Sequence, residues 1–147
     1  MIGLLQRVSE AAVAVDGADI AAIGRGLLVL VGVEQGDDDA AAGRLAERLL
    51  GYRVFPDVEG RMNLNVAQID GGMLLVPQFT LAADTRKGRR PSFASAAQPA
   101  EAERLFNRLA GRIAAQHKNT QTGRFGADMK VRLVNDGPVT FCLRVEP

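Results

Sequence analysis

The sequence predicts an α/β fold: a single domain over residues 1–147 in which a mixed or antiparallel β-sheet, layered towards a barrel, is backed by two helices. Three observations carry that reading. The glycine-flanked runs Leu27–Val33 and Met73–Val76 are apolar at nearly every position, as in strands buried on both faces. Two later stretches repeat apolar residues at three- and four-residue steps, the period of a helix face. Both ends of the chain, Met1–Val15 and Met129–Val145, mix apolar and polar residues in the alternation of half-buried strands.

The first helix is announced by Asp37, Asp38 and Asp39, acids at the positive end of the segment that carries Leu45, Leu49 and Tyr52, and Gly51 marks its end. Pro56–Gly60 reads as a turn, followed by Met62–Val66 and then the apolar strand Met73–Val76. Ala82–Ser95 is a polar stretch too long for a turn, and so a candidate functional loop. Pro99 opens the second helix, with a stripe of Ala102, Leu105, Phe106, Leu109, Ala110 and Ile113. The chain closes with Met129–Val134 and Val139–Val145, predicted as a hairpin through Asn135–Pro138 with Phe141, Leu143 and Val145 towards one face.

Composition narrows the function. With 18 basic and 17 acidic residues the formal charge is +1, so no overall field steers the protein to nucleic acid or membrane, and any RNA contact has to be local. The single cysteine, Cys142, excludes an internal disulfide or a multi-cysteine zinc site and points to a reducing, cytoplasmic setting. No apolar run approaches the ~18 residues of a membrane span, and the first residues lack a signal-peptide pattern.

Familiar catalytic machinery is missing. The only histidine, His117, has polar neighbours near the end of the second helix and reads as a solvated surface residue. There is no Gly-x-Ser-x-Gly elbow, His-Glu-x-x-His pair, phosphate-binding glycine loop or dinucleotide fingerprint, so neither a metal nor a cofactor is expected. Cys142, between Phe141 and Leu143 in a strand, reads as a structural thiol, and the three aspartates as a helix cap. Arg86, Lys87, Arg89 and Arg90 are either a solvated loop or a phosphate-contacting patch, and the sequence leaves both open.

Two strings taken together are more specific: Pro77-Gln78-Phe79-Thr80-Leu81 after the second buried strand, and Asn135-Asp136-Gly137-Pro138-Val139-Thr140. In this order and spacing, with Gln6-Arg7-Val8, Gly51-Tyr52-Arg53, Arg61-Met62-Asn63-Leu64-Asn65, Arg90-Pro91-Ser92-Phe93 and Asn119–Phe125, the chain resembles the D-aminoacyl-tRNA deacylase family over nearly its whole length. The resemblance implies that family's fold and a homodimeric hydrolase. The reaction would cleave the ester between a D-amino acid, or glycine, and the 3′-terminal adenosine of tRNA, recycling mischarged tRNA.

It also implies residue roles. Gln78, Phe79 and Thr80 would line the pocket at the scissile ester, where main-chain N–H groups hold the developing oxyanion. Water would attack directly with help from the ribose 2′-hydroxyl, and Thr80 would orient water or substrate. Gly137 and Pro138, joined by a cis bond, would enter the partner subunit's active site and reject L-amino acids by main chain. Arg7 would hold that segment, Met129 would form a pocket wall and Phe125 would face the terminal adenosine, although Arg7 reads equally as a surface strand residue and the other two as core. The basic loop would touch tRNA phosphates, with no DNA or membrane partner. The sequence departs from the family in having Pro77 where serine is usual, which removes a hydroxyl and an N–H. Two other readings stay open: a non-catalytic module that binds RNA ends or nucleotides, and a small esterase with Thr80 as nucleophile.

Overall fold

Successive side chains of a strand point to opposite faces, and in the two central strands each face is covered by a different core. These strands are β3 (Gly26–Gly32) and β6 (Gly72–Pro77) of a computed structural model that describes residues Met1–Pro147. Leu27, Val29, Val31, Met73 and Leu75 pack against the helices α1 (Asp39–Gly51) and α2 (Pro99–Gln116). Leu28, Leu74 and Val76 face a second core shared with Val8, Ala11 and Val13 of β1 (Ile2–Val15) and Ala21 and Ile23 of β2 (Ala18–Ile23).

The sheet is mixed. The parallel β3 and β6 are joined through α1 and the small β4 (Phe55–Pro56) and β5 (Met62–Leu64) pair, as a parallel connection requires. β7 (Thr120–Thr122) adds in parallel beyond β6. On the other side, β1 pairs antiparallel with β3 through its first half and with β2 through its second. Its opposite edge carries β8 (Lys130–Arg144). The resulting α/β fold, a mixed sheet curled nearly into a barrel and backed by two helices, is the predicted class.

Close backbone approach explains one glycine pair: a Cβ on Gly26 would lie 1.9 Å from the carbonyl oxygen of Gly72, so only glycine lets β3 and β6 start side by side. α1 begins as predicted, with Asp38 as its N-cap accepting from the Ala41 N–H at 2.7 Å. Asp37 is not part of that cap. It is buried and accepts from the Met1 α-amine at 2.6 Å and the Glu34 N–H at 2.7 Å.

The C-terminal hairpin is corrected. β8 is one strand, and both of its halves pair with β1: Ile2–Gln6 oppose Arg144–Thr140, and Glu10–Ala14 oppose Val134–Lys130. Asp136–Val139, opposite Arg7 alone, form a bulge in that strand instead of reversing it. A two-residue I′ turn needs positive φ at two consecutive residues, and in this segment only Gly137 has it, at +146°. Three smaller expectations also change. His117 is buried, not solvated, with its Nε2 2.7 Å from the Gly71 carbonyl oxygen. Cys142 is exposed, so it fills no core. Phe141 remains 39% exposed with its ring edge-on to Tyr52, while Leu143 and Val145 are buried.

Candidate active site

β6 delivers the first site motif. Its last rung is the Gln78 N–H donating to the Val31 carbonyl at 2.7 Å, after which Phe79–Ala82 wind into one 3-10 turn. Pro77 fits at this strand end for a specific reason. The N–H groups of Gly72 and Gln78 point to the β3 side, to Arg25 and Val31, whereas that of Met73 points to the β7 side, to Asn119. Residues alternate along a strand, so the absent Pro77 N–H belongs to the β7 side, where β7 has already ended at Thr122. No rung is lost.

Within the turn the Gln78 Nε2 donates to the Thr80 Oγ1 at 2.5 Å. No histidine, lysine or carboxylate bonds to that hydroxyl, and His117 is engaged at Gly71. Thr80 therefore has no base to activate it as a nucleophile.

A cleft of about 450 Å³ opens beside the turn. Val76, Pro77, Gln78 and Phe79 form one wall, Phe125 and Met129 the facing one, and Ala102 of α2 contributes to the lining. Met129 rests on Gly123, where a Cβ would lie 2.8 Å from its sulfur, so glycine there lets the wall close up. The lining is mostly apolar with a few polar groups, as small-ligand sites are. The fold thus brings Gln78, Phe79, Phe125 and Met129 together, with Thr80 tied to them through Gln78. Nowhere in the chain do three His, Cys, Asp or Glu side chains converge as metal ligands.

Arg7, Gly137 and Pro138 do not line this cleft. They belong to the β8 bulge, where the Gly137–Pro138 bond is cis. Arg7 lies in β1 opposite the bulge, and its guanidinium donates to the Asp136 carbonyl at 2.8 Å and the Val54 carbonyl at 2.7 Å. The side chain thereby links the main chain of the bulge to that of Val54.

The four cations of the basic loop are not equivalent. Arg86 grips the Asp84 carboxylate through two contacts of 2.9 and 2.6 Å, and its own N–H also donates to Asp84. The bonds from Arg86 hold the Asp84 carboxyl well below the usual carboxylate range, and the same pairing raises the Arg86 guanidinium. Lys87, Arg89 and Arg90 are exposed. Sequence reasoning assigned no role to Phe93, whose ring meets that of Phe79 at 5.1 Å between centroids. The available signal was its position three residues past Arg90, the aromatic-with-cations pattern of single-strand binders.

A curled mixed sheet with two helices on one face and a cleft at the end of its parallel pair defines a known class of fold. A solved structure described as a probable eukaryotic D-amino acid tRNA deacylase matches it with a TM-score of 0.81 at 18% identity over 97% of each chain. Another, described as a c-Myc DNA unwinding element binding protein, matches with a TM-score of 0.95 at 35% identity over 100% of both chains. The family model described as D-Tyr-tRNA(Tyr) deacylase covers residues 4–144, and the chain belongs to that family. A D-aminoacyl-tRNA deacylase of Aeromonas hydrophila subsp. hydrophila is 62% identical over 145 residues, 99% of this chain and 100% of that one. The general chemistry of the protein is accordingly that of a deacylase, a hydrolase acting in tRNA quality control.

Proposed function

We propose that the protein hydrolyses the ester between a D-amino acid or glycine and the 3′-terminal adenosine of tRNA, and spares L-aminoacyl-tRNA. The observation that carries this is the meeting of the Gln78–Thr80 turn with Phe125 and Met129 around one cleft in a chain of this family. The cleft suits an aminoacylated nucleoside, and the apolar wall excludes bulk water from the ester. A 3-10 turn leaves its first N–H groups, here those of Phe79 and Thr80, without intrahelical carbonyls, so main chain is available for a developing oxyanion. With no base on Thr80, attack by water assisted by the neighbouring ribose hydroxyl is the simpler chemistry.

Chiral selection falls to the Gly137–Pro138 bulge of a second subunit. Both residues are exposed and lie outside their own cleft, so their route to an active site runs through a partner in a homodimer. The exposed ring of Phe141 and the exposed Val134 give such a partner apolar surface to cover. A main chain pinned by Arg7 has no rotamers with which to accommodate an L side chain, whereas glycine presents none.

A second reading, a nucleic-acid-binding module without turnover, is favoured by one observation, the 35% likeness to a protein described as binding a DNA element. Amino-acid release from D-Tyr-tRNA, L-Tyr-tRNA and Gly-tRNA separates the two. Fast release from the D and glycyl substrates with the L substrate spared is the expected result. Release at the spontaneous rate from all three refutes the deacylase reading.

A further inference from the structure

The polypeptide leaving the Phe79–Ala82 turn carries a second exposed feature beside the cleft. Asp84 and Ser92 bond to each other in both directions, at 2.7 and 3.0 Å, and so tie off the loop between them. Inside it Arg86 is spent on Asp84. Lys87, Arg89 and Arg90 face solvent with no acid or hydrogen-bond acceptor, a concentration of positive charge on a protein whose net charge is only +1.

Just past Ser92, Phe93 contacts Phe79 with the ring planes inclined by 49°. The two residues stay 43% and 56% exposed although they touch each other. The pair joins the basic loop to the wall of the cleft, because Phe79 lines that wall. Cations that track a backbone beside aromatic faces that accept bases are the chemistry of a single-stranded nucleic acid site, and every base has a face to stack. An acidic peptide would use the cations and leave the rings without a partner. A duplex keeps its bases stacked inside.

We infer that this loop and ring pair bind the single-stranded 3′ end of an RNA whose last nucleoside enters the cleft. Lys87, Arg89 and Arg90 contact its phosphates, and Phe93 with Phe79 stacks an unpaired base just outside the cleft. Arg86 shapes the loop and contacts no phosphate. Naming the strand as the tRNA acceptor end rests on the proposed function, whereas the binding chemistry does not.

The test is fluorescence anisotropy with a short 5′-labelled RNA ending in CCA, titrated with the full-length protein at several salt concentrations. Each phosphate contact on a single strand contributes about 0.7 to the slope of log K against log salt. The variant K87A/R89A/R90A is expected to lose about 2 from that slope and to bind at least about tenfold more weakly, while R89K/R90K keeps the slope. F93A is expected to weaken binding about tenfold with the slope intact. An unchanged slope and Kd in K87A/R89A/R90A overturns the inference, as does equal affinity for a blunt RNA duplex. Because the readout is binding, a protein that releases no amino acid refutes the proposed function alone. One that deacylates but shows no salt response to the triple change refutes this inference alone.

Discussion

The Asn135 side chain is bonded to the main chain of Val139 in both directions: its Oδ1 accepts from the Val139 N–H at 2.7 Å and its Nδ2 donates to the Val139 carbonyl at 3.4 Å. The same Nδ2 reaches the Thr140 hydroxyl at 2.9 Å. One side-chain amide thereby spans the bulge and takes the place of a neighbouring strand while Asp136, Gly137 and Pro138 loop outward. Asn135→Ala leaves a buried residue's N–H without an acceptor, a loss of about 1 to 3 kcal/mol. Urea denaturation is expected to show that loss, and D-over-L discrimination is expected to fall more than the rate on the D substrate.

Gly137 admits no side chain. Its φ is +146°, and a Cβ would sit 2.6 Å from the Val139 Cγ2 and 2.8 Å from the Val139 nitrogen. In Gly137→Ala the bulge has to move, and the Asp136 carbonyl held by Arg7 moves with it. Hydrolysis of L-Tyr-tRNA relative to D-Tyr-tRNA is expected to rise about tenfold or more, which corresponds to about 1.4 kcal/mol of lost discrimination. An unchanged ratio in a folded variant would remove the bulge from chiral selection.

Much of this architecture was legible because its signals are local. The apolar runs of β3 and β6, the stripe of α2 and the Asp38 cap each follow from the spacing of side chains along their own segment. The errors arose where a distant segment decided the outcome. Asn135–Pro138 has the composition of a turn, and it is the length of β1 that keeps the two halves of β8 collinear. His117 looked solvated because its acceptor, the Gly71 carbonyl, is 46 residues away in sequence. At the site, the motif at Gln78–Thr80 could be read, but the contact of Phe79 with Phe93 depends on how the intervening loop folds back.

The Asp84–Arg86 pair gives the loop a pH signature. The side-chain and main-chain bonds from Arg86 lower the folded-state pKa of Asp84 below the ~3.9 of an unfolded aspartate. Its contribution to loop closure is therefore complete above about pH 4 and is lost only as pH falls through the lowered folded value. A carboxyl-detected NMR titration is expected to place the Asp84 midpoint clearly below that of an ordinary aspartate, and Arg86→Ala to raise it only part of the way back, because the main-chain N–H of residue 86 still donates to the carboxylate. A midpoint near 4 in the unsubstituted protein would mean that the pair does not persist in solution.

Gly26→Ala tests the close start of the parallel pair. The added Cβ meets a main-chain oxygen at 1.9 Å, and no rotamer change relieves a clash with backbone. The two strands have to separate where both cores meet them, so the cost exceeds the ~1 to 3 kcal/mol of ordinary overpacking. A large fall in Tm is expected, against a small one for Gly24→Ala, whose Cβ would meet open space.

Pro77→Ser measures what the departure from the family costs. The substitution supplies an N–H past the last β6–β7 pair, so at most one hydrogen bond is added and stability is expected to change by no more than about 1 kcal/mol. It also supplies a hydroxyl at the cleft wall. If the reaction runs on water positioned by the Gln78–Thr80 turn and its main chain, that hydroxyl is dispensable, and kcat/KM on D-Tyr-tRNA is expected to stay within about threefold, less than 1 kcal/mol of barrier. A rise of a hundredfold would instead assign the hydroxyl a direct part in the chemistry, since about 2.7 kcal/mol is what one well-placed hydrogen bond to a developing charge supplies. The comparison therefore decides whether this cleft works through its backbone alone.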